Sequence, residues 1–134
     1  MDGDAWRAFV AIGLGAAFGA NARYLVSGWA ADRFGIRFPV GTLIVNISGS
    51  FAIGFVVTLL ARRFGGGGDA QLLLATGFLG GYTTFSTFAY ETVALLRGSE
   101  VGPGLANALG SIVGGIVGAF AGVLLAILVA GSAA

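Results

Sequence analysis

Four apolar stretches, each long enough to cross a bilayer at ~1.5 Å of rise per residue, take up nearly the whole chain of 134 residues. They cover about 6–29, 40–61, 70–96 and 104–130, and leave no room for a soluble domain, a repeat or a long loop. Lipid offers no partners to exposed backbone groups, so such segments must be helices or a closed barrel, and these lengths are helical. The reading is an all-α integral membrane protein, residues 1–134 forming one four-helix transmembrane domain. Trp6 and Trp29 bracket the first segment, ~35 Å apart along a helix, where two interfacial aromatic belts belong. Pro39 opens the second and Arg62-Arg63 close it. Gly65 to Gly68 form a flexible linker, and Gly102-Pro103 precede the fourth segment. Asp2 and Asp4 are the wrong charge for a signal peptide, and the apolar run continues to Val26, so the first segment is read as a retained membrane helix.

Composition narrows the function. At 57% hydrophobic and 10% charged, the chain is far too apolar for a soluble globular domain. It has no histidine, cysteine or lysine, which removes the common metal ligand, the neutral-pH proton shuttle and thiol chemistry. Only Glu91 places a carboxylate near membrane depth, so an enzyme is not expected. A net charge of +1 gives no reason for a nucleic-acid partner. The expected partners are the lipid bilayer and a second copy of the chain.

Small residues predict how the helices meet. Ala106, Gly110, Gly114, Gly118, Gly122, Ala126 and Ala130 recur every fourth position in the last segment, a seam that admits another helix closely; Gly15 and Gly19 do the same in the first. Charge predicts orientation. With an even number of spans, one side holds Arg7, Arg62 and Arg63, and the other Arg33, Arg37 and Arg97, with Arg23 as a further member. That balance gives the positive-inside rule almost nothing to act on, so copies are expected to insert both ways and pair as an antiparallel homodimer.

The third segment carries the unusual chemistry. Gly80-Gly81 followed by Thr83-Thr84 invites a helix to break near its middle, and broken backbone in a membrane is tolerated where it lines a cavity or is buried in protein. Phe85 and Phe88 then share a face beside the hydroxyls of Thr84, Ser86 and Thr87. Polar stripes run along three segments: Thr42, Asn46 and Ser50; Asn107 and Ser111; Thr84, Thr87 and Glu91. They could converge on a narrow water-accessible path, since intramembrane polar groups are expensive. Asn46 is the strongest candidate, with an interhelical hydrogen bond as its competing role. Glu91 fits a pore position or interfacial water equally. Arg23 fits snorkelling, slightly favoured, or an electropositive vestibule. Phenyl edges can solvate an anion weakly, the moderate binding that conduction needs.

Three stretches, Gly19-Ala-Asn-Ala-Arg-Tyr24, Gly41-Thr-Leu-Ile-Val-Asn-Ile-Ser-Gly-Ser-Phe51 and Gly77-Phe-Leu-Gly-Gly-Tyr-Thr-Thr-Phe-Ser-Thr-Phe88, resemble the Fluc (CrcB-type) fluoride channels, and the resemblance extends over essentially the whole chain. It implies a dual-topology, antiparallel homodimer in the cell membrane, with two pores passing fluoride ion passively out of the cell after HF has entered and lost its proton. Phe85 and Phe88 resemble the family's paired pore phenylalanines, and Asn46 its pore asparagine. Gly80 and Thr83 resemble the positions whose carbonyls hold a structural Na+ at the dimer centre. Thr87, Ser111 and Glu91 resemble a polar track, and Arg23 an arginine near the aqueous entrance. Asn107 departs from the pattern, standing where the family often has a tyrosine with more volume. A small multidrug exporter is the competing transporter class, but it uses a carboxylate in the first helix, and none lies between Trp6 and Trp29. A non-transporting assembly subunit would explain the glycine seam and leave the polar stripes unexplained.

Overall fold

The computed structural model describes residues 2–131, and every regular element among them is helical. Helix α1 spans Gly3–Phe34, with the Asp2 carboxylate accepting from the Ala5 N–H at 2.9 Å, a standard way to satisfy a free first-turn donor. Helix α2 spans Val40–Phe64, starting at Pro39 and ending at Gly65. All four glycines from Gly65 to Gly68 have φ between 74° and 79°, which only glycine adopts without a steric penalty, so this linker turns within a few residues. The third hydrophobic stretch is divided. A short α3, Gly68–Gln71, leads into a π-helical segment, Leu72–Leu79, and a single turn, α4, Gly80–Tyr82. Thr83 and Thr84 are extended, at φ/ψ of −78°/155° and −149°/114°, before α5 resumes at Phe85–Arg97. Helix α6 covers Val101–Gly131.

Three of these helices, α1, α2 and α6, are long and apolar enough to cross a membrane, as expected for a multi-pass membrane protein. Their packing follows the small residues. Helix α6 lies along α2, and a Cβ added at Gly122 would collide with the Phe51 carbonyl. At Gly118 it would come 3.0 Å from the Ile47 carbonyl, so the every-fourth-residue seam faces α2. Helix α1 lies along the π-helical segment and α4, where a Cβ at Gly19 would collide with the Phe78 carbonyl and one at Gly15 with that of Leu73. Backbone meets backbone at both seams, giving close dispersion contact where lipid supplies no hydrophobic drive. Helix α5 rests on α6.

The centre is small and partly polar. Ala30, Val45, Ala75, Leu79, Phe88 and Ala126 are buried, together with Thr42, Thr84, Asn107 and Ser111. The outer faces are hydrophobic, with Phe18, Leu25, Ile116, Phe120 and Leu128 all exposed. At the end of α1, Arg7 pairs with Asp69 at 2.6 Å, an exposed contact that ties α1 to the start of α3 and contributes little in water.

Candidate functional site

The interruption at Thr83 and Thr84 leaves the Thr84 N–H without its helical acceptor, and α2 supplies one, together with a second donor for the Thr84 carbonyl that begins α5. The Thr84 N–H donates to Asn46 Oδ1 at 2.8 Å, and Asn46 Nδ2 donates to the Thr84 carbonyl at 2.9 Å. A primary amide presents a donor and an acceptor side by side, so one side chain matches both groups of one residue. In a continuous helix that N–H would bond the Gly80 carbonyl; here it does not. Thr84 then caps α5: its Oγ1 accepts from the Thr87 N–H at 3.2 Å and donates to Thr87 Oγ1 at 3.0 Å. Thr83 closes the other side, its N–H and its hydroxyl both donating to the Leu79 carbonyl at 3.0 Å.

Beside this interruption is a cavity of about 280 Å3, lined by Asn46, Ser50 and Ile53 of α2, Thr83 to Phe85, Phe88 of α5, and Ser111 and Ile112 of α6. Five sequence-predicted site residues therefore meet in one place: Asn46, Thr83, Phe85, Phe88 and Ser111. The two rings touch, with centroids 5.5 Å apart and planes tilted by 57°. Phe88 is 8% exposed and Phe85 is 78% exposed, so one ring is fixed by its neighbours and the other stands free at the surface. The Ser111 hydroxyl is buried without a hydrogen-bond partner. No charged side chain lines this cavity.

The remaining predicted residues lie elsewhere. Thr87 is exposed and engaged in the α5 cap. Glu91 opens onto a separate cavity of about 410 Å3 between α1, α2 and α5, which Thr42 and Arg37 also line. The Thr42 hydroxyl donates to Glu91 Oε1 at 2.9 Å, leaving buried Oε2 without a partner. Asn107 is fully buried and donates through Nδ2 to Thr92 Oγ1 at 2.9 Å, while the Thr92 hydroxyl donates to the Phe88 carbonyl at 2.9 Å. That chain of donors fixes the amide's orientation and leaves Oδ1 unpartnered. Arg23 Nη1 lies 3.5 Å from the Thr83 carbonyl. The residue as a whole is half-buried.

Sequence reasoning did not assign roles to Thr84 as a backbone partner, to Ser50 as a cavity wall, or to Thr92 as the link from α6 to Phe88. Ser50 was legible as the third member of the α2 stripe. The other two depend on contacts between helices, for which spacing carries no signal.

Hydroxyls, one amide and phenyl rings line this space. They can replace part of the hydration of a small ion and release it again, which is the requirement for conduction. Comparison with known proteins agrees. Residues 10–123 match the family model described as CrcB-like protein, Camphor Resistance (CrcB). The chain is 55% identical over 97 residues to the fluoride-specific ion channel FluC of Roseiflexus sp. (strain RS-1), covering 72% of this chain and 78% of the relative. It is 50% identical over 103 residues to the protein of that name from Solibacter usitatus (strain Ellin6076), covering 77% and 84%. With that of Aquifex aeolicus (strain VF5) it shares 48% identity over 101 residues, covering 75% and 82%. The match spans all the helices that build the cavity, and the chain belongs to the CrcB-like family.

Proposed function

We propose that this chain is a fluoride-specific ion channel, passing fluoride passively out of the cell across the cell membrane, with no enzymatic turnover. The observation that carries this reading is the uncharged cavity in which Asn46, Phe85, Phe88 and Ser111 meet, in a chain whose relatives are named fluoride-specific ion channels. Fluoride is small and strongly hydrated, so a full positive charge in the path would trap it and a bare apolar path would reject it. Ring edges carry partial positive charge and hydroxyls donate single hydrogen bonds, which offset dehydration without holding the ion. Ser111 supports this role because its buried hydroxyl has no partner of its own. Asn46 has one amide hydrogen left after serving Thr84. Thr87, Asn107 and Glu91 would continue the polar track toward the second cavity, where Thr42 holds Glu91 aside. Arg23 would draw anions toward the interruption from its entrance position.

On this reading residues 68–97 form the third of four spans, in two halves around Thr83 and Thr84. The working unit is an antiparallel homodimer with two pores. Asn21, Ser48, Ser86 and Thr87 are exposed on otherwise apolar helices, as is the Phe85 ring. Polar groups in that position are costly against lipid and are relieved by a protein neighbour. The near-equal arginine balance allows that neighbour to insert the opposite way.

A structural sodium fits the same place. Among the described residues no cluster of acidic side chains could hold a metal, so backbone oxygens are the available ligands, and a hard cation accepts them. Gly80 has lost its helical donor to Asn46, and Thr83 receives only the long contact from Arg23. Their carbonyls, with those of a second copy, would hold the ion, and when bound it would supply fixed positive charge that joins the two copies.

The test is efflux from proteoliposomes followed with a fluoride electrode, with chloride as control. Fast fluoride release with negligible chloride release is expected; absence of fluoride release from an assembled protein refutes the proposal.

A further inference from the structure

Asn46 is the evident donor on the α2 wall of the cavity, yet most of its hydrogen-bonding capacity is spent on protein. Oδ1 receives the Thr84 N–H and Nδ2 serves the Thr84 carbonyl, leaving one N–H for any other partner. One turn further along α2, Ser50 lines the same cavity, on the same helical face. Opposite it stands Gly115 of α6, where an added Cβ would lie 3.4 Å from Ser50 Oγ, at van der Waals contact. Gly115 itself places no side chain against the serine hydroxyl. Ser111, one turn earlier on α6, adds its own unpartnered hydroxyl to the cavity. The α2 and α6 walls thus each bring a serine to the space beside Phe85 and Phe88.

We propose that Ser50 is a fluoride-contacting residue, its hydroxyl donating to the ion beside Asn46 and replacing one water of its hydration shell. The proposal rests on the fluoride-channel reading. A hydroxyl suits the role because it can rotate, donating to a passing anion and then withdrawing, whereas the Asn46 amide is locked to Thr84. Neutral donors of this kind bind moderately, which keeps exit fast. Losing one hydrogen bond to a charged partner corresponds to about a tenfold change in its equilibrium.

The decisive comparison is Ser50→Thr against Ser50→Val, side chains of equal shape that differ in the hydroxyl, alongside Ser50→Ala. Each is reconstituted and assayed for fluoride efflux, with assembly checked by size-exclusion chromatography. Fluoride efflux in Ser50→Val at about one tenth of that in Ser50→Thr, with both assembled, is the expected result. Equal rates in the isosteric pair overturn the proposal, as does wild-type efflux in Ser50→Ala. If neither larger variant assembles, Ser50→Ala against wild type decides by the same criterion. Wild-type protein is run in parallel: if it passes no fluoride, the channel reading itself fails, which is a different outcome from a conducting wild type with conducting variants.

Discussion

Replacing Asn46 with alanine should release the interruption between α4 and α5. Two hydrogen bonds, at 2.8 and 2.9 Å, are lost; the N–H of Thr84, a residue 8% exposed, is orphaned, while its carbonyl keeps the first helical bond of α5. Leaving the buried N–H unsatisfied costs about 1–3 kcal/mol, and losing the second bond, whose acceptor remains paired, adds about 0.5–1.5 kcal/mol. Hydrogen bonds between membrane helices average nearer 0.6 kcal/mol, because alternatives exist, which sets a floor of about 1 kcal/mol for two. Here the alternative is specific: Thr84 can leave its extended conformation and donate to the Gly80 carbonyl, continuing the helix. The extended geometry should therefore lose population by at least several-fold, since 1.4 kcal/mol is a factor of ten. Hydrogen–deuterium exchange resolves this as altered protection confined to residues near Thr84 and Phe85, and proteoliposome efflux should fall with it. Asn46→Asp separates the two roles of the side chain: it keeps an acceptor for the Thr84 N–H but sets an anionic oxygen against the Thr84 carbonyl and in the ion's path. Its exchange pattern should stay closer to wild type while flux is abolished. Unchanged protection and unchanged efflux in Asn46→Ala would refute the clamp, and wild-type flux in Asn46→Asp would refute the placement of Asn46 beside the ion.

Phe85→Ile and Phe88→Ile remove ring edges while keeping apolar bulk; fluoride efflux should fall severely with the protein still assembled, and normal efflux in both would remove the aromatic role. Gly122→Ala should force α6 away from α2, because its Cβ meets the Phe51 carbonyl, and overpacking of this kind costs about 1–3 kcal/mol, readable as a lower melting temperature in detergent. Gly13→Ala, where a Cβ meets nothing within 4 Å, is the matched control and should melt unchanged. Tags on either terminus, probed for accessibility from each side of the cell membrane, should report both orientations; a single orientation would defeat the antiparallel pairing.

The residues differ in how far spacing alone could place them. Glycine and alanine at every fourth position of α6 define a stripe whatever helix it meets, and the structure sets that stripe on α2. Asn46 and Ser50 likewise share a face by spacing, and the cavity receives both. Glu91 was harder: it lies two turns along α5 from Thr84, and only the approach of Thr42, 49 residues away, assigns it to the second cavity. Asn107 reads as a track residue in one dimension; Thr92, 15 residues before it, captures its amide and turns it toward Phe88. The π-helical stretch Leu72–Leu79 has no marker in its run of leucine, alanine, threonine, glycine and phenylalanine.

By itself, then, the sequence determined what is local or cumulative: long apolar segments, the pattern of small residues, the polar stripes, the balanced arginines. These follow from helical periodicity and from the cost of polar groups in lipid, which act on each segment separately. Tertiary structure decided which polar atoms are spent on the protein and which remain for an ion. Asn46 serves a backbone 38 residues away, Thr84 caps α5 as well as receiving that clamp, and the Ser111 hydroxyl is left without a partner. Each of those outcomes is a hydrogen bond made or missed across helices, and it exists only once packing has set their distance and rotation.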